Sequence, residues 1–205
     1  MNSMSLPQIK ARAKRLPPEQ RRAQLLAYAL GVFARRGIGG AHHAEVAAAA
    51  GVSVATTFTY FATRDELVSA VLDEVGALYV GLAERIHAGT GSAPELLLAH
   101  ARAFADSVDS HPDHARIWLN WSGALREEIW PRYLAVEERT IAPMIRTLRR
   151  GQAEGSIATA TAPEDSARIA IGAAYQIVQM KVLGRSDAEI ERFLAALTRA
   201  LGAAA

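Results

Sequence analysis

The chain has no cysteine among its 205 residues. Disulfides, thiolate catalysis and cysteine-ligated metals are therefore excluded, and the composition suits a reducing compartment. Long apolar runs are also missing, because no stretch approaches the roughly 20 apolar residues needed to span a bilayer. The N-terminal segment is polar and basic and lacks the apolar core of a signal peptide. We therefore expect a cytoplasmic protein that does not enter the membrane.

Strand signals are scarce as well. No run alternates β-branched and polar residues, and no Asn-Gly or Asp-Gly pair marks a hairpin turn. Apolar residues instead recur every three or four positions, as at Leu67, Val71 and Val75, which is the period of an amphipathic helix. The sequence predicts an all-α fold of about nine helices. In this fold a long helix near 64–87 joins a three-helix N-terminal domain to a helical C-terminal domain.

Several helix boundaries are also readable. Four helix starts carry the Ser/Thr-x-x-Glu signature, in which the hydroxyl and the glutamate each satisfy a free backbone N–H. The pairs are Thr63 with Glu66, Ser92 with Glu95, Thr161 with Glu164, and Ser186 with Glu189. A helix over 125–150 would contain Pro131 and Pro143, and each proline is expected to kink or break it.

Positive charge is concentrated in the first third of the chain, although the net charge is only +2. Residues 1–64 hold nine Lys and Arg against two Asp and Glu, whereas residues 65–205 hold fourteen against nineteen. A basic segment on an acidic remainder predicts a head that binds a polyanion and a body with another task. A basic tail that only aids solubility is the alternative.

Residues 44–67 read AEVAAAAGVSVATTFTYFATRDEL. A short alanine-rich helix is broken at Gly51, and Ser53 can cap a second short helix from Val54 to about Tyr60. Two short helices around a tight glycine turn form a helix-turn-helix, whose second helix lies in the DNA major groove. The alternative is a three-helix packing unit without a ligand, and the adjoining positive charge argues against it.

The second helix offers hydroxyls for phosphates and base edges, and small side chains for thymine methyl groups. Backbone amides near Ala44 and Val54 can hold phosphates. We expect Val54, Phe58 and Phe61 to face the core. The predicted DNA contacts are Ala44, Ser53, Val54, Ala55, Thr56, Thr57, Thr59, Tyr60 and Arg64.

A basic arm precedes the first helix and ends at Pro17-Pro18. Its positive side chains are Lys10, Arg12, Lys14 and Arg15. Basic arms can enter the minor groove and respond to its width. A solvated tail without a role in binding is the equal alternative.

Two apolar stripes in the last helices predict a homodimer. Pairing around a two-fold axis would bury them in a four-helix bundle. The stripes contain Ile169, Ala173, Ile177, Ile190, Phe193, Leu194, Leu197 and Leu201. Ordinary packing within one protomer is the alternative.

All three tryptophans lie within thirteen positions, which predicts a pocket for a small apolar effector. We assign its walls to Leu78, Trp118, Trp121, Trp130, Thr140 and Ala174. Bulky core filling between helices is the alternative, and the ligand is not identified by these residues.

The six histidines do not predict a metal site. His42 and His43 are adjacent and diverge on a helix, and His111 and His114 lack a third ligand at a recognisable spacing. No set of Ser, His and Asp suggests catalysis. We therefore expect no enzyme activity, no metal and no cofactor.

The head resembles the DNA-binding domain of the TetR family of bacterial transcription regulators over residues 18–75. The matching residues are Phe33, Gly37, Val46, Ala47, Gly51, Val52, Ser53, Tyr60, Phe61 and Leu67. The resemblance implies an all-helical homodimer whose divergent C-terminal domain often binds a small effector. It divides the chain into an arm (1–17), a DNA-binding domain (18–75) and an effector-binding and dimerisation domain (76–205).

A narrower resemblance is to the vibrio quorum-sensing master regulators of this family. It rests on segments of the head and on a body match, Trp118–Ser122 and Arg126–Pro131. Gly51 stands where that branch has glutamine, and Thr59 where it has asparagine. Both departures leave the operator sequence open. The branch implies a global regulator that both represses and activates.

The sequence thus predicts a regulator that binds a pseudo-palindromic site in double-stranded DNA as a homodimer and responds to a small apolar effector. A ligand-responsive repressor of a local efflux or metabolic operon is the nearest alternative. A helical enzyme or carrier with a vestigial head and a non-specific architectural DNA binder are the others.

Overall fold

The computed structural model describes residues 16–125 and 128–203. Within these residues the chain forms nine α-helices and no β-strand, which confirms the predicted all-α fold. The helices are α1 (Pro18–Arg36), α2 (His43–Ala50), α3 (Val54–Tyr60), α4 (Arg64–His87), α5 (Ala93–Ser110), α6 (Pro112–Ser122), α7 (Trp130–Glu154), α8 (Pro163–Val182) and α9 (Asp187–Ala200). None of these helices combines the length and apolarity that crossing a membrane requires.

The head consists of α1, α2, α3 and the start of α4. Gly37 ends α1 with a φ of 75°, a backbone conformation that glycine adopts without steric cost. The turn that follows brings α2 back against α1. Leu25, Phe33, Val46 and Leu67 are buried where the helices meet, and these contacts fix the head as a single packing unit.

The long helix α4 belongs to both halves of the molecule. It contacts α1 at its N-terminal end and α5, α6 and α7 further along. One continuous cluster of buried side chains runs from Leu25 and Phe33 in the head to Ile177 and Leu194 in the body. The domain boundary predicted after residue 75 therefore falls inside α4 and inside a shared hydrophobic core.

Three of the four predicted helix starts are capped as their sequences indicate. At α9, the Ser186 N–H donates to Glu189 at 3.0 Å, and the Glu189 N–H donates to the Ser186 hydroxyl at 3.4 Å. At α5, the Ser92 N–H donates to Glu95 at 2.9 Å. At α4, the Thr63 hydroxyl accepts a hydrogen bond from the Glu66 N–H.

Two boundary predictions were wrong. Thr161 does not cap α8, because the cap residue is Ala162, whose side chain cannot accept a hydrogen bond. The helix predicted over 125–150 begins instead at Trp130, so Pro131 lies in its first turn, where a missing N–H costs nothing. Pro143 lies inside the same helix without ending it.

Candidate DNA-binding surface and ligand cavity

The turn between α2 and α3 is built by local backbone chemistry. Gly51 ends α2 with a φ of 66°, in the left-handed region, and the Val52 N–H donates back to the Ala47 carbonyl at 3.0 Å. Ser53 then starts α3, because its hydroxyl accepts from the Thr56 N–H at 3.1 Å. The helix-turn-helix predicted from the sequence is present, and its second helix has a defined N-terminus.

Phe61 anchors the C-terminal end of α3. Its ring is 1% exposed, and the Arg22 guanidinium lies over it at 5.0 Å from the ring centroid. The His43 Nε2 donates to the Phe61 carbonyl at 2.7 Å, so α2 is also tied to this point. These contacts hold α3 at a fixed angle to α1 and α2.

The outer side of α3 faces a shallow concave surface next to the start of α1. Leu16, Pro17, Pro18 and Arg21 form one wall of this surface. The other wall consists of Ser53, Ala55, Thr56, Thr59 and Tyr60, all of which were predicted to contact DNA. Ala44, in the first turn of α2, is exposed as well. The structure thus brings six of the predicted contacts to the outside of the head.

Three side chains of α3 were assigned to the wrong side. Thr57 is fully buried, and its hydroxyl has no partner among the described residues, so this side chain cannot reach DNA. Val54 and Phe58 were expected in the core but are 42% and 47% exposed. Phe58 instead stacks on His43 with ring centroids 4.1 Å apart. A seven-residue helix is too short for its apolar positions to fix its rotation from sequence.

Arg64 was predicted to contact DNA, but the structure gives its guanidinium another role. It donates to the backbone carbonyls of Ile38 at 2.6 Å, Gly39 at 3.0 Å and Ala41 at 3.3 Å. The side chain is only partly exposed. Arg64 therefore holds the connection between α1 and α2 through its Nε and Nη2 donors.

The four basic residues of the predicted arm, Lys10, Arg12, Lys14 and Arg15, lie outside the described residues. Leu16 and Pro17, which follow them, border the concave surface beside α3.

A cavity lies in the body between α4, α5, α6, α7, α8 and α9. Its volume is about 60 Å³, well below the ~300–1,000 Å³ of pockets that hold drug-sized ligands. Trp118, Thr140 and Ala174 line it, as predicted from the sequence. The lining residues that were not predicted from the sequence include Tyr79, His100, Phe104 and Met144.

The other three pocket residues predicted from the sequence do not line the cavity. Trp121 is fully buried, and its indole N–H donates to the Ile129 carbonyl at 3.1 Å, so it fills the core. Trp130 stacks on Tyr133 with centroids 4.9 Å apart. Leu78 is partly buried against the main hydrophobic cluster. Trp118 and Trp121 lie on α6 and Trp130 begins α7, so nearness in sequence does not bring the three rings to one cavity.

A chain of hydrogen bonds reaches the cavity through two histidines, the partly buried His87 and the buried His100. The His87 ring bonds to the Thr147 hydroxyl and to the His100 ring, at 3.0 Å in each case. Burial, together with Arg146 and Arg150, lowers the pKa of His87 to about 4, and burial lowers the pKa of His100 to about 3. Both rings are therefore neutral near pH 7.

Most residues of the predicted dimer stripes are buried inside their own protomer. Ile177, Ile190, Leu194, Leu197 and Leu201 are each less than 10% exposed, and three of them line the cavity. Phe193 and Ala173 are partly buried. These stripes are core rather than surface because α8 and α9 pack on α5.

The exposed apolar face of α8 lies elsewhere on the helix. Ile169 is 49% exposed and belongs to the predicted stripe, whereas Tyr175, Val182 and Leu183 were not predicted and are 51%, 73% and 69% exposed. Among the described residues, no three His, Asp or Glu side chains come together as a possible metal site.

Comparison with known proteins agrees with this architecture. A family model for bacterial regulatory proteins of the tetR family matches residues 25–71. The transcriptional regulator LuxR of Vibrio harveyi is 32% identical to the chain over 183 residues, which cover 89% of each protein. The regulator FasR of Mycolicibacterium smegmatis is 36% identical over 99 residues, covering 48% of this chain and 45% of FasR.

Two solved structures share the fold. One is FadR from Bacillus subtilis, determined in complex with stearoyl-CoA. Its TM-score is 0.71 and its sequence identity is 16%, and the match covers 88% of this chain and 97% of that one. The other is KstR2 of Mycobacterium tuberculosis, with a TM-score of 0.72, 20% identity and coverage of 90% and 96%. Together with the helix-turn-helix, the full-length similarity to LuxR shows that the chain belongs to the TetR family of DNA-binding transcriptional regulators.

Proposed function

We propose that the protein binds a pseudo-palindromic operator as a homodimer, and that a small apolar effector in the cavity changes its affinity for that operator. The observation that carries the proposal is the continuous hydrophobic core that joins Phe33 of the head to Trp118 and Ile177 at the cavity. A change in packing around the cavity is then felt at the helix-turn-helix, because interiors are close-packed.

The proposed DNA contacts follow from the exposed side of α3. Ser53, Thr56, Thr59 and Tyr60 offer hydroxyls to phosphates and base edges, and Ala55 offers a methyl group. The Thr59 hydroxyl donates to the Ala55 carbonyl at 3.0 Å, so it would meet DNA as an acceptor. The backbone amides at Ala44 and Val54, in the first turns of α2 and α3, are proposed to hold phosphates.

The proposed dimer interface is the exposed apolar face of α8. Ile169, Tyr175, Val182 and Leu183 are four of the nine large hydrophobic side chains that are most exposed in the described chain. Gly172 and Ala173 on the same helix would allow a second helix to approach closely. Pairing these faces about a two-fold axis would present two recognition helices to half-sites one DNA turn apart.

Coupling between cavity and head is proposed to use α6 and α7. Trp118 lines the cavity from α6, which packs on α1. Arg132 on α7 donates to the Ser69 hydroxyl at 2.8 Å and pairs with Asp73, and both partners lie on the head-proximal half of α4. The stearoyl-CoA bound to FadR supports a small-molecule effector here. Such an effector acts only if its affinity differs between two arrangements of these helices.

Selection of bound sequences from a random DNA pool, at a fixed salt concentration, tests the DNA-binding part. Two inverted half-sites about 10 bp apart, centre to centre, are the expected result. A single half-site would contradict the homodimer, and no enrichment above the starting pool would contradict sequence-specific binding.

The dimer interface is tested with Val182→Glu, which places a charge on the α8 face. We expect a monomer at micromolar concentration in analytical ultracentrifugation, together with a large loss of operator affinity. Leu134→Glu is the matched control, because Leu134 is 42% exposed and belongs to α7 rather than α8. A Val182→Glu protein that remains dimeric would place the interface elsewhere.

The breadth of regulation is a separate question. The similarity to LuxR of Vibrio harveyi supports the predicted quorum-sensing branch. Mapping of occupied sites across the genome separates a global regulator, with many dispersed sites, from a local repressor, with a few sites beside one operon.

A further inference from the structure

The cavity contains a buried hydroxyl without a hydrogen-bond partner. Tyr79 on α4 lines the cavity and is 4% exposed, and its hydroxyl bonds to no described residue. Ser107 lies near enough to the Tyr79 hydroxyl to oppose the rise in its pKa, but the Ser107 hydroxyl donates to the Phe104 carbonyl at 2.6 Å and forms no hydrogen bond of normal geometry with Tyr79. A buried hydroxyl left in this condition costs roughly 1–3 kcal/mol, so a partner that enters the cavity would recover that loss.

The Tyr79 hydroxyl is a donor at any physiological pH, because burial raises its pKa to about 12. A second polar side chain, His100, lines the same cavity. The Nδ1 of His100 is occupied by His87, so its Nε2 is the ring nitrogen that remains, and the ring is neutral. The two histidines can exchange tautomers, and Nε2 can then either donate or accept.

Positive charge is missing from the cavity walls. No Lys or Arg of the described chain lines it, and the one charged lining residue is Glu137. An anionic group would therefore lose its hydration without gaining a counter-charge, which is costly in a medium of low polarity.

The aromatic walls favour an apolar body over a cation. Phe104 packs edge-on against Trp118 at 5.7 Å, and Tyr79 lies tilted against Phe104 at 5.5 Å. The rings pack against one another, so their faces do not surround a central position that a cation could occupy. Met144, a flexible side chain, completes the wall and can yield to ligands larger than the 60 Å³ cavity.

From this geometry we propose that the cavity selects a neutral, mostly apolar ligand carrying a carbonyl or hydroxyl oxygen, which accepts a hydrogen bond from Tyr79. Carboxylates and phosphates are rejected. The inference rests on the proposed effector function and specifies the chemical class of its ligand.

The test uses four probes of one chain length with the full-length protein: 2-hexanone, 1-hexanol, hexanoate and hexylammonium at pH 7.5. Binding is followed by the NMR signal of the ¹³C-labelled Met144 methyl group, with Met180, which does not line the cavity, as the internal reference. We expect 2-hexanone and 1-hexanol to bind at least about tenfold more tightly than hexanoate, since one unpaired buried charge outweighs one hydrogen bond.

Tyr79→Phe removes the proposed donor and keeps the ring. We expect 2-hexanone to bind about fivefold to tenfold more weakly to this variant, since one hydrogen bond contributes ~1 kcal/mol. Tyr133→Phe is the matched control. Tyr133 lines the same cavity, and burial and the neighbouring Glu137 carboxylate raise the pKa of its hydroxyl, so Tyr133→Phe removes a cavity hydroxyl other than the proposed donor. The thermal transition of each variant shows that it is folded.

Each of the other possible results would contradict a particular part of the proposal. Equal binding of hexanoate and 2-hexanone would remove the selection against anions. Tighter binding of hexylammonium would make Glu137 the anchor. A loss in Tyr133→Phe but not in Tyr79→Phe would move the donor to Tyr133. If no probe shifts Met144, the cavity is not the effector site, and the proposed regulation fails together with its ligand class.

Discussion

At the scale of single residues, the adjacent threonines of α3 are expected to differ in function because only one of them reaches the surface. Thr56 lies on the concave surface, whereas Thr57 is fully buried with an unpaired hydroxyl. Thr57→Val should therefore stabilise the protein by about 1 kcal/mol and leave operator affinity unchanged, because it removes only an unsatisfied polar group. Thr56→Val should weaken operator binding about fivefold, which corresponds to one lost hydrogen bond.

Urea denaturation and a fluorescence anisotropy titration on the selected operator measure the two quantities separately. A drop in operator affinity for Thr57→Val without loss of stability would show that Thr57 reaches the DNA after all, as the sequence alone suggested.

The hydrogen-bonded pair of His87 and His100 leads to a prediction about how the free energy of unfolding depends on pH. The folded-state pKa values of His87 and His100, about 4 and about 3, lie below the ordinary value of 6.5. The unfolded chain therefore binds protons before the folded chain does, so stability is complete above pH 6.5 and is lost as the pH falls toward 4. Each such histidine contributes a slope of up to ~1.4 kcal/mol per pH unit in this window.

His100→Asn should flatten this slope between pH 6.5 and 5, measured as the free energy of unfolding in urea at each pH. Replacement of the exposed His42 by Gln is the control and should leave the slope as in the wild type. An unchanged slope in His100→Asn would mean that the ring is charged or solvated in the folded protein.

At the scale of helices, the sequence predicted elements better than it predicted their faces. The capping pairs and glycine stops are local signals, so α4, α5 and α9 begin where Ser/Thr-x-x-Glu motifs place them. Apolar periodicity says only that one side of a helix is buried, not what covers it. Ile177 and Leu194 therefore looked like a dimer surface but belong to the core of one protomer.

The same limit applies to the cavity. Trp118 and Trp121 lie three positions apart on α6 and so share one side of the helix, and only the packing of the surrounding helices decides that Trp118 lines the cavity while Trp121 fills the core. Tyr79 and His100 carry no local signal, since only the packing of α4 against α5 brings them to one cavity.

The turn between α2 and α3 gives an element-scale prediction. Gly51 has a φ of 66°, where a side chain costs roughly 1–2 kcal/mol. Gly51→Ala should lower the free energy of unfolding by about that amount, and Gly51→Asn by less, because asparagine tolerates this conformation. Gly39→Ala is the control, since Gly39 has no positive φ and open space around its Cα.

Thermal unfolding and operator binding are measured for all three variants. Equal losses of stability in Gly39→Ala and Gly51→Ala would show that the left-handed conformation of Gly51 does not cause the loss. A Gly51→Ala protein of unchanged stability would mean that the turn adopts another backbone conformation.

At the scale of the whole molecule, the positive charge is concentrated at one end of the chain, whereas the hydrophobic core extends through both halves. Nine of its 23 Lys and Arg residues lie before residue 65, so the electrostatic attraction to DNA is concentrated at one end. The hydrophobic core, in contrast, is continuous from Leu25 to Leu194. Under the proposed regulation, a head that shares its core with the cavity is released from DNA by a change in the body, without unfolding.

The basic arm provides the prediction at this scale. Residues 1–15 precede Leu16, which borders the concave surface beside α3, so an arm attached there starts next to the proposed DNA contacts. Each phosphate that a Lys or Arg neutralises adds about 0.9 to the slope of log affinity against log salt concentration. Deleting residues 1–15 should reduce this slope by up to ~3.6 per protomer, for four basic residues, and weaken binding most at low salt.

The control keeps the length of the arm and replaces Lys10, Arg12, Lys14 and Arg15 by Ala. If charge is the cause, this variant should behave as the deletion does, in anisotropy titrations between about 50 and 300 mM KCl. A reduced affinity with an unchanged slope would assign the arm to base or shape recognition in the minor groove. No change in either quantity would leave all DNA binding to the helix-turn-helix.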